Sequence, residues 1–415
     1  MTIKRLSICL FLSAALSGYS LDKSAYYDEY TDILSTEDWS RGEELYTEAV
    51  SEYPEELVFH CYLNEMLRGL EKNEAALGQI TPVYEKNTGD SYVFGCYKWS
   101  MIEFGFQRRD ENDFEKALEL FKQVYELDKN EVTAALWYGI LLRETEDIDA
   151  SIDILEIGIN QFDDEFIISN LIYSYVEKAN QIRASDPKQA EELFQKSLAL
   201  DDRNVTAVLW WGIYLREQKR YEESIRVLEE SIGFSDNENL FSNLLYAYVD
   251  YANEIKTTRP ETAELLFQNA LKIDYTNLTA MLWYGIFLRE WEEYDGALEL
   301  FERAEKLYPD YEHLPSNINH TYSEYGDYLV KNDRREEAIV VYENAVQRFP
   351  ENLYYYYHLF INYMELEKLK KAELIRILFD TYNLYRPISP SYLHFTISKN
   401  SNRGSICVMI IEIKV

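Results

Sequence analysis

The sequence predicts an all-α chain built from repeated helix pairs, and three observations carry this prediction. The stretches ALWYGILLRE, VLWWGIYLRE and MLWYGIFLRE begin at positions 135, 208 and 281, so nearly the same text returns every 73 residues. Apolar residues within each copy recur at spacings of three and four, as an amphipathic helix requires. Only 15 Gly and 9 Pro occur among 415 residues, which leaves little of the turn chemistry that a sheet protein needs.

Composition and charge limit the classes of partner. Hydrophobic residues make up 47% of the chain and aromatic residues 15%, so a large core can be buried. The formal net charge is -33 and no Lys/Arg-rich run occurs. This argues against a nucleic-acid partner, whose phosphates call for a basic protein face. Because an acidic surface repels other anions, we expect a ligand that is neutral, apolar or basic.

Residues 1–20 have the pattern of a secretory signal peptide. Lys4 and Arg5 precede an apolar stretch from Leu6 to Leu16, and small residues fit a cleavage after Ser20. The stretch is shorter than the roughly 20 residues that a membrane-spanning helix needs, and no later segment has the pattern of a span. We therefore expect an exported chain, periplasmic or secreted, with no transmembrane segment after cleavage.

The 73-residue period divides into two helix pairs. In the third copy, NLTAMLWYGIFLRE and YDGALELFERAEKLYP form one pair, and the preceding LFSNLLYAYVDYANEI and PETAELLFQNALKID form the other. A single pair is too small to bury its own apolar face, so the pairs must stack in series. One pair in two is longer, and its extra residues lengthen either its first helix or the following turn.

These pairs resemble tetratricopeptide repeats, whose pattern is Gly at position 8, small residues at 20 and 27, an aromatic residue at 24 and often Pro at 32. Counted from Leu278, the matches are Gly285, Ala297, Phe301, Ala304 and Pro309. Counted from Asn319, they are Gly326, Ala338, Tyr342, Ala345 and Pro350. The resemblance implies a right-handed superhelical solenoid of about ten helix–turn–helix repeats over residues 21–385, with a short non-repeat tail over residues 386–415. Anchored on position 20, the repeats start near residues 23, 57, 98, 132, 171, 205, 244, 278, 319 and 353.

In this family the first helices of successive repeats line a concave groove, into which positions 5, 9 and 12 point. The three strong copies place Leu, Ile and Arg there, and an earlier repeat places Arg at position 12. Asn recurs near position 5 of the alternate repeats, where it would hold a ligand backbone or bridge two helices. The candidate partner-binding residues are Arg68, Leu136, Ile140, Arg143, Asn170, Leu209, Ile213, Arg216, Asn243, Leu282, Ile286 and Arg289.

The recurring arginines have two interpretations. They either capture carboxylates of a bound peptide, or they pair with acidic residues of the neighbouring repeat, such as Glu177 and Asp250. The family often places Trp four residues before the Gly, whereas Trp137, Trp210 and Trp283 stand two residues before it. These Trp residues lie on the flank of the groove, and we expect them to pack mainly against the adjacent first helix.

The chain contains no nucleophile elbow, phosphate-binding glycine loop or paired CxxC motif. We therefore expect no catalytic residue, cofactor or metal site. His320 and Glu324 stand four residues apart on a predicted helix, a weak metal signal that is better explained by an ordinary surface pair. Cys61 and Cys96 fall on adjacent first helices, where they form either a disulfide or two separate buried thiols.

The sequence thus predicts an exported, non-catalytic scaffold that binds a segment of another protein through its groove. The alternative is a binding protein for a small molecule or glycan that stacks on Tyr and Trp residues. The tail contains an apolar run from Ile406 to Ile413. It is a strand that pairs with a partner, a poorly ordered tail or the product of a truncated gene. Neither the partner nor the oligomeric state follows from the sequence.

Overall fold

Twenty α-helices form ten consecutive pairs in the part of the chain that the structure describes. The structure is a computed structural model that describes residues 22–385, 391–399 and 406–414, with side chains for residues 22–381. Helix contacts run mainly between neighbours in sequence, as stacked repeats require. The helices are α1 Lys23–Thr36, α2 Trp39–Glu52, α3 Leu57–Gly69, α4 Asn73–Lys86, α5 Ser91–Asp110, α6 Phe114–Leu127, α7 Val132–Glu144, α8 Ile148–Gln161, α9 Glu165–Ile182, α10 Pro187–Leu200, α11 Val205–Glu217, α12 Tyr221–Ile232, α13 Glu238–Ile255, α14 Pro260–Ile273, α15 Leu278–Glu290, α16 Tyr294–Leu307, α17 Leu314–Lys331, α18 Arg335–Arg348, α19 Leu353–Glu365 and α20 Leu369–Tyr385.

The chain divides into two compact units, residues 1–210 and residues 211–415. The first unit contains α1 to α10, and the boundary falls within α11. The second unit contains α12 to α20 and two strands. Odd-numbered helices are the first helices of their repeats, and even-numbered helices are the second. The observed class is the predicted all-α repeat solenoid.

From α5 to α17, every second repeat has a longer first helix. Helices α5, α9, α13 and α17 have 20, 18, 18 and 18 residues, whereas α7, α11 and α15 have 13 each. The long helices begin at residues 91, 165, 238 and 314, ahead of the repeat starts near 98, 171, 244 and 319. The added turns offer extra positions toward the neighbouring first helices.

Most turns within a repeat are closed by a residue in the left-handed conformation, although none of these residues is Gly. Their φ angles lie between 53° and 67°, a region in which a side chain is unfavourable and which recurs at helix ends. The residues are Glu37, Glu71, Asn112, Glu146, Lys219, Glu292, Asp333 and Glu367. The repeats that begin with α9 and α13 have longer turns and reach the second helix through Pro187 and Pro260 at its first position instead.

A glycine on the first helix allows the second helix of the same repeat to approach closely. A Cβ atom added at Gly285 would lie 2.7 Å from Cε1 of Phe301, and one at Gly326 would lie 2.2 Å from Cε1 of Tyr342. Both aromatic residues are fully buried. The predicted Gly and aromatic positions therefore meet within each repeat. This contact explains why the pattern needs Gly there.

Residues of the predicted tail form two antiparallel strands, β1 Ser391–Lys399 and β2 Ile406–Lys414. Their register pairs Ser391 with Lys414 and Lys399 with Ile406. The apolar run from Ile406 therefore pairs with a strand of its own chain. A strand was one of the expected alternatives for the tail, but it was expected to pair with a partner; β-branched residues favour this extended conformation.

The predicted signal peptide lies outside the described residues and stays a prediction. Within residues 22–385, no helix is both long enough and apolar enough to cross a bilayer.

A polar network connects the last two repeats. The Asp327 carboxylate on α17 accepts hydrogen bonds from the Tyr342 hydroxyl at 2.7 Å and the Tyr354 hydroxyl at 2.5 Å. His358 on α19 places Nδ1 3.6 Å from this carboxylate, and its ring lies beside those of Tyr354 and Tyr357. Burial lowers the pKa of His358, and the Asp327 charge opposes that shift. The imidazole is therefore held in its neutral form more strongly than in an unfolded chain.

We expect Gly285→Ala to lower the free energy of unfolding by about 1–3 kcal/mol, because the new methyl group overpacks the Phe301 contact. The matched control is Gly78→Ala in α4, where an added Cβ meets nothing within 4 Å. That change should stabilise by about 0.5–1 kcal/mol, since Gly is unfavourable within a helix. Urea unfolding followed by circular dichroism measures both, and equal effects at the two sites would contradict the close approach.

We expect acidification to destabilise the chain through His358. The unfolded chain takes up a proton near pH 6.5, before the folded chain does, so stability falls as the pH falls from 6.5 toward the lowered pKa. His358→Gln removes this contribution and leaves the carboxylates in place. The stability difference between wild type and variant should therefore shrink or reverse from about pH 7.5 to about pH 5.5. A difference that stays constant, or that grows on acidification, would show that His358 is not held neutral.

Candidate partner-binding surface of the first helices

Three of the predicted arginines lie in the last turn of a first helix and reach the first helix of the following repeat. Arg143 extends from α7 to α9, and Arg289 extends from α15 to α17. Arg216, in the part of α11 that belongs to the second unit, reaches α13. The 73-residue period therefore repeats a contact between helices as well as a stretch of sequence.

Arg143 is held by three kinds of contact with α9. Its Nε lies 3.7 Å from Oε2 of Glu177. Its Nη1 donates to the main-chain oxygen and to Oδ1 of Asn170, both at 3.3 Å. The guanidinium carbon lies 5.8 Å from the ring centroid of Tyr173. Only 16% of the Arg143 side chain is exposed, so little of it faces solvent.

The second unit repeats the ion pair twice, and each copy keeps one of the two other kinds of contact. Arg216 lies 3.7 Å from the Asp250 carboxylate and 5.7 Å from the ring centroid of Tyr246. Burial raises the pKa of Asp250, and Arg216 opposes this rise. Arg289 lies 3.2 Å from the Glu324 carboxylate and donates to a side-chain oxygen on α17.

These contacts correct the idea that the arginines are open receptors for a ligand's carboxylates. Each of the three already has an acidic partner on the next first helix, which is the alternative interpretation of the row. The pairs join partly exposed carboxylates at 3.2–3.7 Å and therefore contribute only about 0–1 kcal/mol each. The arginines therefore position side chains of the next first helix and do not form open sites for a ligand.

The apolar candidates differ in accessibility. Ile140 is buried, with 8% of its surface exposed, so it belongs to the core and cannot offer a contact surface. Its neighbour Leu136 is half-buried, and the other four candidates are half-buried as well: Leu209, Ile213, Leu282 and Ile286.

The two asparagines do not present open amides. Asn170 accepts from Arg143 and donates through Nδ2 to the main-chain oxygen of Phe166 at 2.8 Å. It therefore bridges α7 and α9. Asn243 donates to the main-chain oxygen of Asn239 at 2.8 Å within α13. The bridging alternative therefore describes Asn170, whereas capture of a ligand backbone stays a prediction at Asn243.

The flanking tryptophans occupy three different environments. Trp137 packs against Phe106 with ring centroids 5.3 Å apart, and the Arg109 guanidinium lies 4.3 Å from its ring. Trp210 is half-buried with the Arg183 guanidinium 5.6 Å from its ring. Trp283 is 42% exposed. Packing dominates at Trp137, whereas Trp283 keeps a large surface in solvent.

In the repeat that begins with α3, Cys61 stands at the position that Leu occupies in the later copies. Cys96 on α5, the next first helix, stands near the place of the recurring Asn. Cys61 on α3 and Cys96 on α5 are buried free cysteines within one apolar cluster. The hydrogen bond with the Cys96 thiol, together with burial, raises the pKa of Cys61. Arg68 donates through Nε to Oδ1 of Asn64 at 3.3 Å. No disulfide joins this pair in the structure.

A cleft of about 460 Å³ opens on the first helices of the first unit. Tyr173 and Trp210 form its aromatic walls, and a matched Arg143–Glu177 pair lies at its edge. The side-chain oxygen of Asn180 is buried there without a protein hydrogen-bond partner. The residues that line this Tyr173 cleft are Arg143, Tyr173, Val176, Glu177, Asn180, Thr206 and Trp210.

The sequence prediction missed the exposed aromatic residues of the long first helices. Tyr173 is 44% exposed and Tyr246 is 38% exposed, and each contacts one of the recurring arginines. Phe166, 71% exposed, shares one stripe of α9 with Asn170, Tyr173 and Glu177, because these residues follow one another at spacings of four, three and four. The signal was present, since Tyr173 and Tyr246 each stand three residues after a recurring Asn and are themselves one period apart.

The polar clusters offer little to a metal ion. His320 and Glu324 contact each other at 3.2 Å, and Glu324 also pairs with Arg289. Among the described residues, no group of three or more His, Cys, Asp or Glu side chains is placed to hold a metal. Both oxygens of Asp327, near His358, accept hydrogen bonds from tyrosine hydroxyls. This carboxylate is therefore already used in hydrogen bonds within the protein.

Family models for the tetratricopeptide repeat match residues 108–171, 180–239 and 254–312. Among curated proteins, the type IV pilus assembly protein PilF of Pseudomonas aeruginosa is 29% identical over 120 residues, which cover 28% of this chain and 45% of that protein. The chain thus spans less than half the length of this relative.

Two solved structures of tetratricopeptide repeat proteins match this chain at low identity. One is the C-terminal part of a TPR repeat-containing protein from Cytophaga hutchinsonii, at 13% identity and a TM-score of 0.39, covering 62% of this chain and 99% of that one. The other is a tetratricopeptide repeat protein from Parabacteroides merdae, at 14% identity and a TM-score of 0.32, covering 68% and 99%. The matched residues, 108–171, 180–239 and 254–312, are thus tetratricopeptide repeats, and the ten helix pairs of the described part of the chain have the same helix–turn–helix form.

Proposed function

We propose that this protein is an exported, non-catalytic scaffold that holds a segment of another protein in the Tyr173 cleft. The observation that carries the proposal is the cleft itself, where solvent-exposed aromatic surface lies beside a matched ion pair. Residues 21–385 form the scaffold and residues 386–415 a separate tail. The sequence pattern of residues 1–20 supports export to the periplasm or the exterior.

The chemistry of the cleft points to the type of segment. Tyr173, Val176 and Trp210 offer apolar walls, which suit an aliphatic or aromatic side chain. The Arg143 and Glu177 charges balance each other, so the cleft itself selects neither sign. The rest of the chain carries a net charge of -33, which favours Lys or Arg residues flanking the apolar side chain.

Repetition supports a protein segment over a small molecule. The set of Arg, aromatic ring and carboxylate at Arg143 returns one period later at Arg216, with Tyr246 and Asp250. Repeat proteins use recurring surface features of this kind to bind other proteins, and each unit carries one of these two sets. A small-molecule or glycan ligand remains the alternative, since it would stack on Tyr173 and Trp210.

A polar group that lines the cleft suits a hydrogen-bond donor. The buried Asn180 oxygen lacks a protein partner, as do the amide oxygens of Gln107 and Asn253. An unsatisfied buried acceptor costs about 1–3 kcal/mol. A ligand N–H that reached Asn180 after a small side-chain rotation would recover part of this energy.

We expect the Tyr173→Ser, Trp210→Ser double variant to lose binding to peptides selected from a random displayed library against the wild-type chain. Loss of two aromatic walls should weaken the Kd at least about tenfold, as truncation of aromatic anchors typically does. Fluorescence anisotropy measures this Kd. The matched control is Ile157→Ser, which removes a side chain 45% exposed on α8, outside the cleft. Selected peptides should be apolar with flanking Lys or Arg, and salt should weaken their binding.

Equal loss in the Ile157→Ser control, or none in the double variant, would place binding elsewhere on the molecule. Selection of glycans but no peptides in a parallel array would favour the alternative ligand.

We expect Arg143→Gln to lower the free energy of unfolding by less than about 1 kcal/mol, because its ion pair with Glu177 is long and partly exposed. The variant should still weaken peptide binding several-fold, since Tyr173 and Glu177 lose the contact that positions them. Thermal unfolding and anisotropy measure the two effects separately. A large loss of stability with unchanged binding would make the arginine purely structural.

A further inference from the structure

The last helix carries an apolar face that the other second helices lack. Leu374, Ile377 and Leu378 of α20 are 56%, 49% and 38% exposed. Their spacings of three and four residues place them on one side of the helix. Fully burying one such side chain stabilises by about 1.5–3 kcal/mol, so this face gains substantially from a cover.

Equivalent positions on the nine other second helices are mostly polar. Counted from the small residue at position 20 of each repeat, none of these helices carries more than one Leu, Ile or Val at the three places. The three exceptions, Ile157, Leu265 and Val340, are 45%, 52% and 55% exposed. These positions therefore face solvent even where another repeat follows. The apolar face of α20 is therefore not explained by its place at the end of the stack, because a following repeat does not cover these positions on the other helices. The corresponding polar sets include Glu299, Glu302 and Arg303 on α16, and Arg226, Glu229 and Glu230 on α12.

Charge indicates what covers this face. Residues 366–376 contain four Lys or Arg and two Glu, a local basic excess in a chain whose net charge is -33. The acidic surface that would keep two copies of the chain apart is therefore absent at this face. Along the flank of the apolar face, Lys370 lies near the start of α20 and Asp380 lies ten residues later. In an antiparallel pair of α20 helices, Lys370 of each copy faces Asp380 of the other, while Leu374 and Ile377 meet at the centre.

We propose that α20 is a self-complementary interface through which two copies of this chain form a two-fold symmetric dimer. An isologous contact of this kind uses the same patch on both subunits. One helix face from each copy is smaller than the roughly 800 Å² per partner of a standard interface. The dimer is therefore weak, with a Kd in the micromolar range, and forms as concentration rises. This proposal is independent of the Tyr173 cleft, which lies in the other unit.

Sedimentation equilibrium of the full chain across micromolar to millimolar concentration tests the interface. The wild type should pass from monomer to dimer, and Leu374→Glu with Ile377→Glu should weaken the Kd at least about tenfold. The matched control is Val340→Glu, which adds a charge at the position of α18 that corresponds to Leu374. It should dimerise like the wild type. Circular dichroism shows whether each variant keeps its helices.

A charge exchange tests the antiparallel arrangement. Lys370→Glu should weaken the dimer several-fold, and adding Asp380→Lys should restore it, because the exchanged pair again joins opposite charges. A wild-type chain that stays monomeric throughout, as it would if residues 391–414 or another protein covered α20, overturns the proposal. A dimer that survives Leu374→Glu with Ile377→Glu overturns it as well.

Discussion

The structure depends on the close contact between the two helices of each repeat. In the repeat that begins with α15, Gly285 leaves room for Phe301, and no side chain larger than hydrogen fits without displacing that ring. Gly139, Gly212 and Gly326 make the corresponding contact with Leu155, Leu228 and Tyr342. Because the second helix occupies this side of the first, each first helix has its remaining sides for the neighbouring repeats and for solvent. Residues held by this contact, such as the recurring arginines, thus meet similar neighbours one period after another.

The recurring arginines follow from that geometry. A guanidinium in the last turn of α7 can reach the Glu177 carboxylate, the Asn170 amide and the Tyr173 ring because α9 lies next to α7. None of these contacts is strong alone, since exposed ion pairs contribute about 0–1 kcal/mol. Together they fix an aromatic side chain at the surface. That combination of exposed apolar area and fixed orientation is typical of a binding surface.

The sequence was sufficient to predict the helix pairs, but it was insufficient to predict which side chains the surface exposes. Gly285 and Phe301 could be predicted to meet because their spacing matches a repeat pattern that depends on local packing. Arginine pairing with Glu177 and Asp250 could be anticipated as an alternative, but the choice required knowing which helix lies beside which. The recurrence of Tyr173 and Tyr246 was visible in the sequence, but the exposure of Tyr173 and the burial of Ile140 depend on which side chains a neighbouring helix covers. The pairing of β1 with β2 depends on residues that match no repeat position.

Site-specific photo-crosslinking in the source cell tests most directly whether the first helices bind a partner. A benzophenone amino acid placed at position 173, beside the cleft, reports proteins that contact this surface, and the same residue at position 157 on α8 serves as the control. The account predicts a discrete adduct with another protein from position 173 and none from position 157. An adduct from position 157 alone would contradict it, because the partner would then contact the second helices.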